Sequence, residues 1–380
     1  MAIIHRKLQD RIDSRIQSGK VIVIAGARRT GKTVLLKEIM KSFDGAYLYL
    51  NGEDYTTELI LQNKGIEEYK NLIGNSKYLV IDEAQKIENI GQILKLMIDE
   101  IEGLHIIITG SSAFDLSNNT GEPLTGRKYT FQLHPVAQCE LMVYENPIET
   151  ESLLENRLIY GSYPEILSFS DNQQKSDYLT ELINSYLLKD ILTLDSIKNS
   201  AKLVNILRLL AFQVGNVVSV NELAQNVGLN KLTVERYLDL LTKVFVIYRI
   251  EGYSRNLRKE ISKSPRYYFW DNGIRNTLVA NFNPLVLRND VGQLWENYVI
   301  SERIKLQHYQ GWLSNNYFWR TYDQQEIDWI EERDGNLFAF EMKYQKKNMK
   351  APGAWTSNYP GASFDVISRE NYVQFITQKE

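Results

Sequence analysis

Short, wholly apolar runs alternate with helically spaced segments along the first part of the chain. Val21–Ala25 holds no polar residue and predicts a buried strand, a glycine-bracketed loop follows, and the apolar positions of residues 33–40 fall at helical spacing. The runs 78–81 and 104–109 predict two further buried strands. Between residues 151 and 213, Leu153, Leu154, Leu158, Leu179, Leu182, Ile183, Leu187 and Leu188 recur three and four apart, the pattern of packed helices. Ser219 then opens a capping box with Glu222, Gly228 closes that helix, and Asn230 caps another that runs to residue 241, a helix-turn-helix pattern. Residues 244–250 and 266–270 predict the two strands of a winged hairpin. In the last segment an amphipathic helix covers residues 294–300, and apolar strands at 326–330 and 338–343 flank the turn Asp334-Gly335.

Three stretches of this kind suit a length of 380 residues, and the divisions fall at 1–150, 151–283 and 284–380. With 43% hydrophobic and 24% charged residues and a net charge of -3, the composition is that of a globular protein, and any basic surface is local. The longest apolar runs fall far short of the roughly 20 residues of a membrane span, so no membrane partner is expected. Residues 1–15 alternate charge with Ile and Leu and lack the apolar core of a signal peptide. Cys139 is the only cysteine, which excludes an internal disulfide and fits a reducing cytoplasm.

Chemistry concentrates at strand ends. Gly26, Ala27, Arg28, Arg29, Thr30, Gly31, Lys32 and Thr33 satisfy the eight-residue phosphate-loop pattern in its required strand–loop–helix setting. Backbone N–H groups there point at phosphate, Lys32 reaches the β- and γ-phosphates of ATP, and the Thr33 hydroxyl ligates Mg²⁺. Asp82 and Glu83 end the second apolar strand, where Asp82 suits Mg²⁺ and Glu83 the attacking water; the alternative is a solvated strand end. Ser111 is a candidate γ-phosphate sensor or a plain helix cap, and Arg127 an arginine finger for a neighbouring subunit or a solvated surface residue.

Arg255, Arg258, Lys259 and Lys263 crowd the expected wing, with Arg266 at the start of its second strand and Tyr253, Tyr267 and Tyr268 nearby. Basic side chains interleaved with aromatics suit a nucleic-acid backbone, to which Lys231, Thr233 and Arg236 of the second helix would add contacts, although many winged helices bind only protein. In the last segment Glu296, Asp328, Glu341 and Lys343 offer the set of a metal-dependent phosphodiesterase, with Asp328 and Glu341 as Mg²⁺ ligands. The alternative is a charged sheet face.

Collinear motifs link these parts. Besides the phosphate loop they are Leu-Val-Ile-Asp-Glu-Ala-Gln (79–85), Ile-Thr-Gly-Ser-Ser-Ala (108–113), Leu-Thr-Gly-Arg (124–127), Gly-Ser-Tyr-Pro-Glu (161–165), Ser-Pro-Arg-Tyr-Tyr-Phe-Trp-Asp-Asn-Gly (264–273), Gly-Gln-Leu-Trp-Glu-Asn (292–297) and Glu-Ile-Asp-Trp-Ile (326–330). With them the chain resembles the prokaryotic AAA+ ATPases that carry a C-terminal restriction-endonuclease-like domain of the PD-(D/E)xK type, long grouped as a domain of unknown function. The resemblance implies an α/β fold: a P-loop AAA+ domain with a parallel sheet, a helical lid with a winged helix, and a nuclease-like α/β domain. It implies roles for Lys32, Thr33, Asp82, Glu83 and Arg127 in ATP hydrolysis with Mg²⁺, for Glu296, Asp328, Glu341 and Lys343 in the last domain, and assembly as a homo-oligomer in a full or partial ring, such as a hexamer. Where the family has Glu-Val-Asp-Phe and Glu-Val-Lys, this chain has Glu-Ile-Asp-Trp and Glu-Met-Lys, which keeps every carboxylate. Two functions are expected on this basis. One is an ATP-driven enzyme that processes nucleic acid, chiefly branched or damaged DNA, which its last domain cleaves with Mg²⁺ or clamps. The other is an ATP-dependent regulator whose winged helix binds DNA or protein and whose last domain is catalytically silent.

Overall fold

Strand β1 (Val21–Ala25) is buried at every position because it lies inside a parallel sheet, where both faces are covered. The computed structural model describes residues 3–62, 64–111, 124–187, 200–254 and 264–378, and the chain divides into two compact units. The first unit comprises Met1–His134 with Lys243–Phe245. Its sheet adds β2 (Tyr47–Asn51), β3 (Tyr78–Asp82), β4 (His105–Gly110) and β5 (Lys128–Gln132), in the order β2-β3-β4-β1-β5 with every pairing parallel. That order sets the C-terminal ends of β1, β4 and β3 side by side, the edge at which open parallel sheets bind ligands. One face packs Val21, Val23, Leu79, Ile81, Ile106 and Ile108 onto Leu94 and Met97 of the helix Ile90–Glu100.

The second unit comprises Pro135–Thr242 and Val246–Glu380. The helix Val220–Val227 is capped as expected: the Ser219 hydroxyl accepts the Glu222 N–H at 3.3 Å, and Gly228 adopts φ 62°, the left-handed stop that glycine favours. Asn230 Oδ1 likewise accepts the Thr233 N–H at 2.8 Å at the head of the helix Lys231–Lys243. Next come β6 (Ile247–Gly252) and β7 (Arg266–Phe269), paired antiparallel. They are not a free hairpin. β6 also pairs parallel with β8 (Asn315–Arg320), and with β9 (Glu326–Arg333), β10 (Asn336–Met342) and β11 (Ser363–Ile367) the sheet runs β11-β10-β9-β8-β6-β7. The strands expected as a wing therefore continue the sheet of the expected last domain. Asp334 and Gly335, both at positive φ (49° and 76°), make the tight turn from β9 to β10.

The helix Val291–Gln310 is buried along most of its length, polar residues included, because those residues find internal partners. Arg303 Nε donates to Glu331 Oε1 at 2.7 Å with both side chains fully buried, and Lys305 meets Glu302 Oε1 at 2.7 Å.

Candidate nucleotide site and acidic cluster

At the end of β1 the chain must turn tightly, because a Cβ on Gly26 would lie 2.2 Å from the Leu133 carbonyl oxygen. Arg29 (φ 64°) and Gly31 (φ 95°) complete the loop, and the helix Lys32–Met40 begins on it. Thr30 is fully buried, and its hydroxyl donates to the Ala27 carbonyl at 2.9 Å. Arg6, only 6% exposed, donates to the Thr30 carbonyl at 2.7 Å and to the His134 carbonyl at 2.6 Å, fixing the loop from behind. Nothing in the sequence marks Arg6, since both its partners are main-chain oxygens far along the chain.

Lys32 folds over the loop and donates to the carbonyls of Gly26 at 3.0 Å and Ala27 at 3.1 Å; Glu83 Oε1 is 3.8 Å from its Nζ. The Thr33 hydroxyl donates to Asp82 Oδ2 at 2.7 Å, joining the first helical turn to the end of β3. Because β4 lies between β1 and β3, its Thr109 hydroxyl reaches Asp82 Oδ1 and accepts the Glu83 N–H at 2.9 Å. Thr109 thus stands beside the carboxylates, where the sequence pattern suggests Ser111. Ser111 is one step outward and accepts from Gln85 Nε2 at 3.0 Å, while that same nitrogen donates to Glu83 Oε2 at 2.5 Å. Glu83 itself is held at φ 50°, a strained setting for a side chain that must point into the site. The donor set fits a triphosphate with a divalent ion: loop N–H groups and Lys32 for phosphate, and the Thr33 hydroxyl and Asp82 carboxylate, already in contact, for the ion. Arg127 is about two-fifths exposed and bound through Nε to both oxygens of Asp99, at 2.7 and 2.9 Å.

In the second unit, the four residues singled out in the last segment do converge. Lys343 Nζ is 2.6 Å from Glu341 Oε1 and 4.0 Å from Asp328 Oδ2, and that Asp328 oxygen accepts the Met342 N–H at 2.9 Å. Glu296 joins through Tyr268, whose hydroxyl donates to Glu296 Oε1 at 2.8 Å. Burial pushes the Glu296 carboxyl up to about 8, with the Asp328 charge adding to it. Burial also raises the carboxyls of Asp328 and Glu341. A further member is Arg266, 3% exposed, with Nη1 3.5 Å from Glu296 Oε1 and 3.6 Å from Asp328 Oδ1 and Nη2 3.0 Å from Glu326 Oε2. Burial opposes its charge, but Tyr268, Glu296 and Asp328 outweigh that and raise its pKa.

This placement corrects the reading of Arg266 as part of an open basic surface. Tyr267 and Tyr268 are buried as well and offer no ring for stacking on a base. Tyr253 is half-buried against Tyr317, Trp355 and Tyr359. Lys231 and Arg236 are exposed on their helix, with Lys231 3.6 Å from Glu235. Arg255, Arg258, Lys259 and Lys263 lie outside the described residues. Among the described residues no group of three or more His, Cys, Asp or Glu is arranged to hold a metal ion, and no helix is long and apolar enough to cross a membrane.

Residues 18–142 match the family described as an AAA domain. Residues 151–285 and 291–361 match two families described as domains of unknown function, DUF8612 and DUF4143. An uncharacterized protein of Mycobacterium tuberculosis is 25% identical over 348 residues, which span 90% of this chain and 74% of that one. Another, from Methanocaldococcus jannaschii, is 27% identical over 343 residues, 84% of this chain and 74% of its own. Among solved structures, the Walker-type ATPase of Pyrococcus abyssi superposes with a TM-score of 0.50 at 16% identity, over 73% of this chain and 96% of that one. Residues 18–142 thus have the AAA-type P-loop ATPase fold.

Proposed function

We propose that this chain, built on an AAA-type P-loop ATPase fold, binds ATP with Mg²⁺ at residues 26–33, hydrolyses it, and uses the cycle to bind and process nucleic acid, DNA before RNA, as a homo-oligomer. The observation that carries the proposal is the Thr33–Asp82 contact at 2.7 Å next to Lys32, a hydroxyl and a carboxylate that would hold a divalent ion beside the phosphates. On binding, Lys32 would exchange its loop carbonyls for the β- and γ-phosphate oxygens, Thr33 and Asp82 would hold the ion, and Glu83 would orient the attacking water. Gln85 and Thr109 position Glu83 through its carboxylate and its backbone N–H. Arg127 leaves Asp99 to reach a neighbouring subunit's nucleotide.

Nucleic acid enters the proposal through the charged residues Arg255, Arg258, Lys259 and Lys263, which lie in sequence between β6 and β7, together with exposed Lys231 and Arg236 of the helix Lys231–Lys243. The test is ATP turnover with and without single-stranded, duplex and branched DNA and RNA. Stimulation by DNA supports the proposal, and equal turnover under every condition refutes its nucleic-acid part. Neutralising Arg255, Arg258 and Lys259 should reduce the slope of log affinity against log salt by about one for each phosphate that the variant no longer neutralises.

A second reading is an ATP-dependent regulator whose nuclease-like last domain is catalytically silent. The observation favouring it is the Arg266 guanidinium among the carboxylates that a metal-dependent nuclease would use. Asp328→Ala separates the readings: abolished DNA cleavage supports the first, and unchanged function in cells supports the second.

A further inference from the structure

A divalent ion on Asp328 and Glu341 needs carboxylate oxygens that face it and a place that no fixed cation already fills. The second condition fails here, because Arg266 Nη1 lies within 3.6 Å of both Glu296 and Asp328. Asp328 Oδ1 faces Arg266 Nη1 at 3.6 Å, while Oδ2 accepts the Met342 N–H at 2.9 Å and faces Lys343. Glu341 Oε1 is hydrogen-bonded to Lys343 at 2.6 Å, and its Oε2 is buried without a partner among the described residues. The guanidinium cannot swing away easily. It is 3% exposed, stacks 4.6 Å from the Phe318 ring centre, and is bound on its other side to Glu326 at 3.0 Å. A dication at Asp328 Oδ1 would lie against this resident cation in a site shielded from water, where like charges repel strongly. Arg266 lies against Glu296, Asp328 and Glu326, and Lys343 against Glu341 and Asp328.

We infer that Arg266 occupies the place of the metal, so that Glu296, Asp328 and Glu341 form a metal-free ionic latch with Arg266 and Lys343 that does not cleave phosphodiesters. The latch ties β7, β9 and the end of β10 to the helix Val291–Gln310. The inference rests on the second reading above and does not involve the P-loop.

Mn²⁺ binding to the nucleotide-free full chain, followed by electron paramagnetic resonance, tests it, because comparison with Asp328→Asn cancels any ion bound elsewhere. Wild type and Asp328→Asn should bind Mn²⁺ alike. Arg266→Met should bind Mn²⁺ at least tenfold more tightly than wild type, and adding Asp328→Asn should abolish that gain. Wild-type binding at least tenfold tighter than that of Asp328→Asn overturns the latch, as does a folded Arg266→Met chain that gains no Mn²⁺. If Arg266→Met fails to fold by circular dichroism, the comparison of wild type with Asp328→Asn decides alone. A Mn²⁺ site at Asp328 would overturn the latch and leave ATP hydrolysis untouched.

Discussion

Arg6→Ala removes the two bonds that fix the phosphate loop from behind, to the Thr30 and His134 carbonyls at 2.7 and 2.6 Å. Each has a charged donor and contributes about 1.5–3 kcal/mol. Full loss would reach about 6 kcal/mol, but water entering the vacated volume re-solvates the carbonyls in part, so a cost of about 3 kcal/mol is expected. At roughly 2–4 °C per kcal/mol, the melting transition of the first unit falls by about 6–12 °C, measurable by calorimetry. Thr30 also loses its anchor, and re-ordering one residue's backbone on nucleotide binding costs about 1 kcal/mol, a roughly fivefold rise in the ATP dissociation constant. Arg6→Lys keeps the charge but cannot span both carbonyls, and should fall between the two. A melting temperature within 1 °C of wild type together with unchanged ATP affinity would refute the reasoning.

Gly26→Ala puts a methyl 2.2 Å from the Leu133 carbonyl oxygen, so the loop must move; ATP binding by calorimetry should weaken at least tenfold, and wild-type affinity would contradict the expected clash. Glu296→Gln tests the buried acid. Its folded pKa of about 8 lies above the ordinary carboxylate value, so between about pH 4.5 and 8 the folded state holds more protons than the unfolded state, and stability falls as pH rises, by up to about 1.4 kcal/mol per unit. Denaturant titrations across that window should be flatter for the variant, and equal slopes would count against burial as the cause. Arg127→Ala should leave the melting temperature close to that of wild type, as its pair with Asp99 is exposed, yet lower ATP turnover if it serves a neighbouring subunit; unchanged turnover would leave it a surface residue.

The candidate nucleotide site is legible in the sequence because its groups are local. The phosphate loop, Thr33 and the acidic end of β3 each carry their signal within a few residues, and the apolar strands reveal their own burial. What crosses the sheet is not legible. Thr109 sits beside Asp82 only because β4 lies between β1 and β3, and no local pattern distinguishes it from Ser111 two residues on. Arg6 acts on main-chain oxygens 24 and 128 residues away, and a carbonyl has no sequence signature. In the second unit the alternating pattern of β9 and β10 and their Asp334-Gly335 turn bring Asp328, Glu341 and Lys343 together, as the pattern implies. Arg266 escapes sequence reasoning because charge composition assigns it to a basic loop, whereas the pairing of β6 with both β7 and β8 draws it into the sheet against those acids. β5, with only one of its five residues buried, has little apolar signal and appears only as the edge partner of β1.

The central claim is ATP hydrolysis at the loop 26–33, and steady-state turnover of Mg²⁺-ATP by the purified full chain tests it most directly when set beside Lys32→Ala and Glu83→Gln. The account predicts measurable turnover in wild type, loss of nucleotide binding in Lys32→Ala, and retained binding with turnover roughly a hundredfold or more lower in Glu83→Gln. Turnover in Glu83→Gln and Lys32→Ala equal to that of wild type would contradict it.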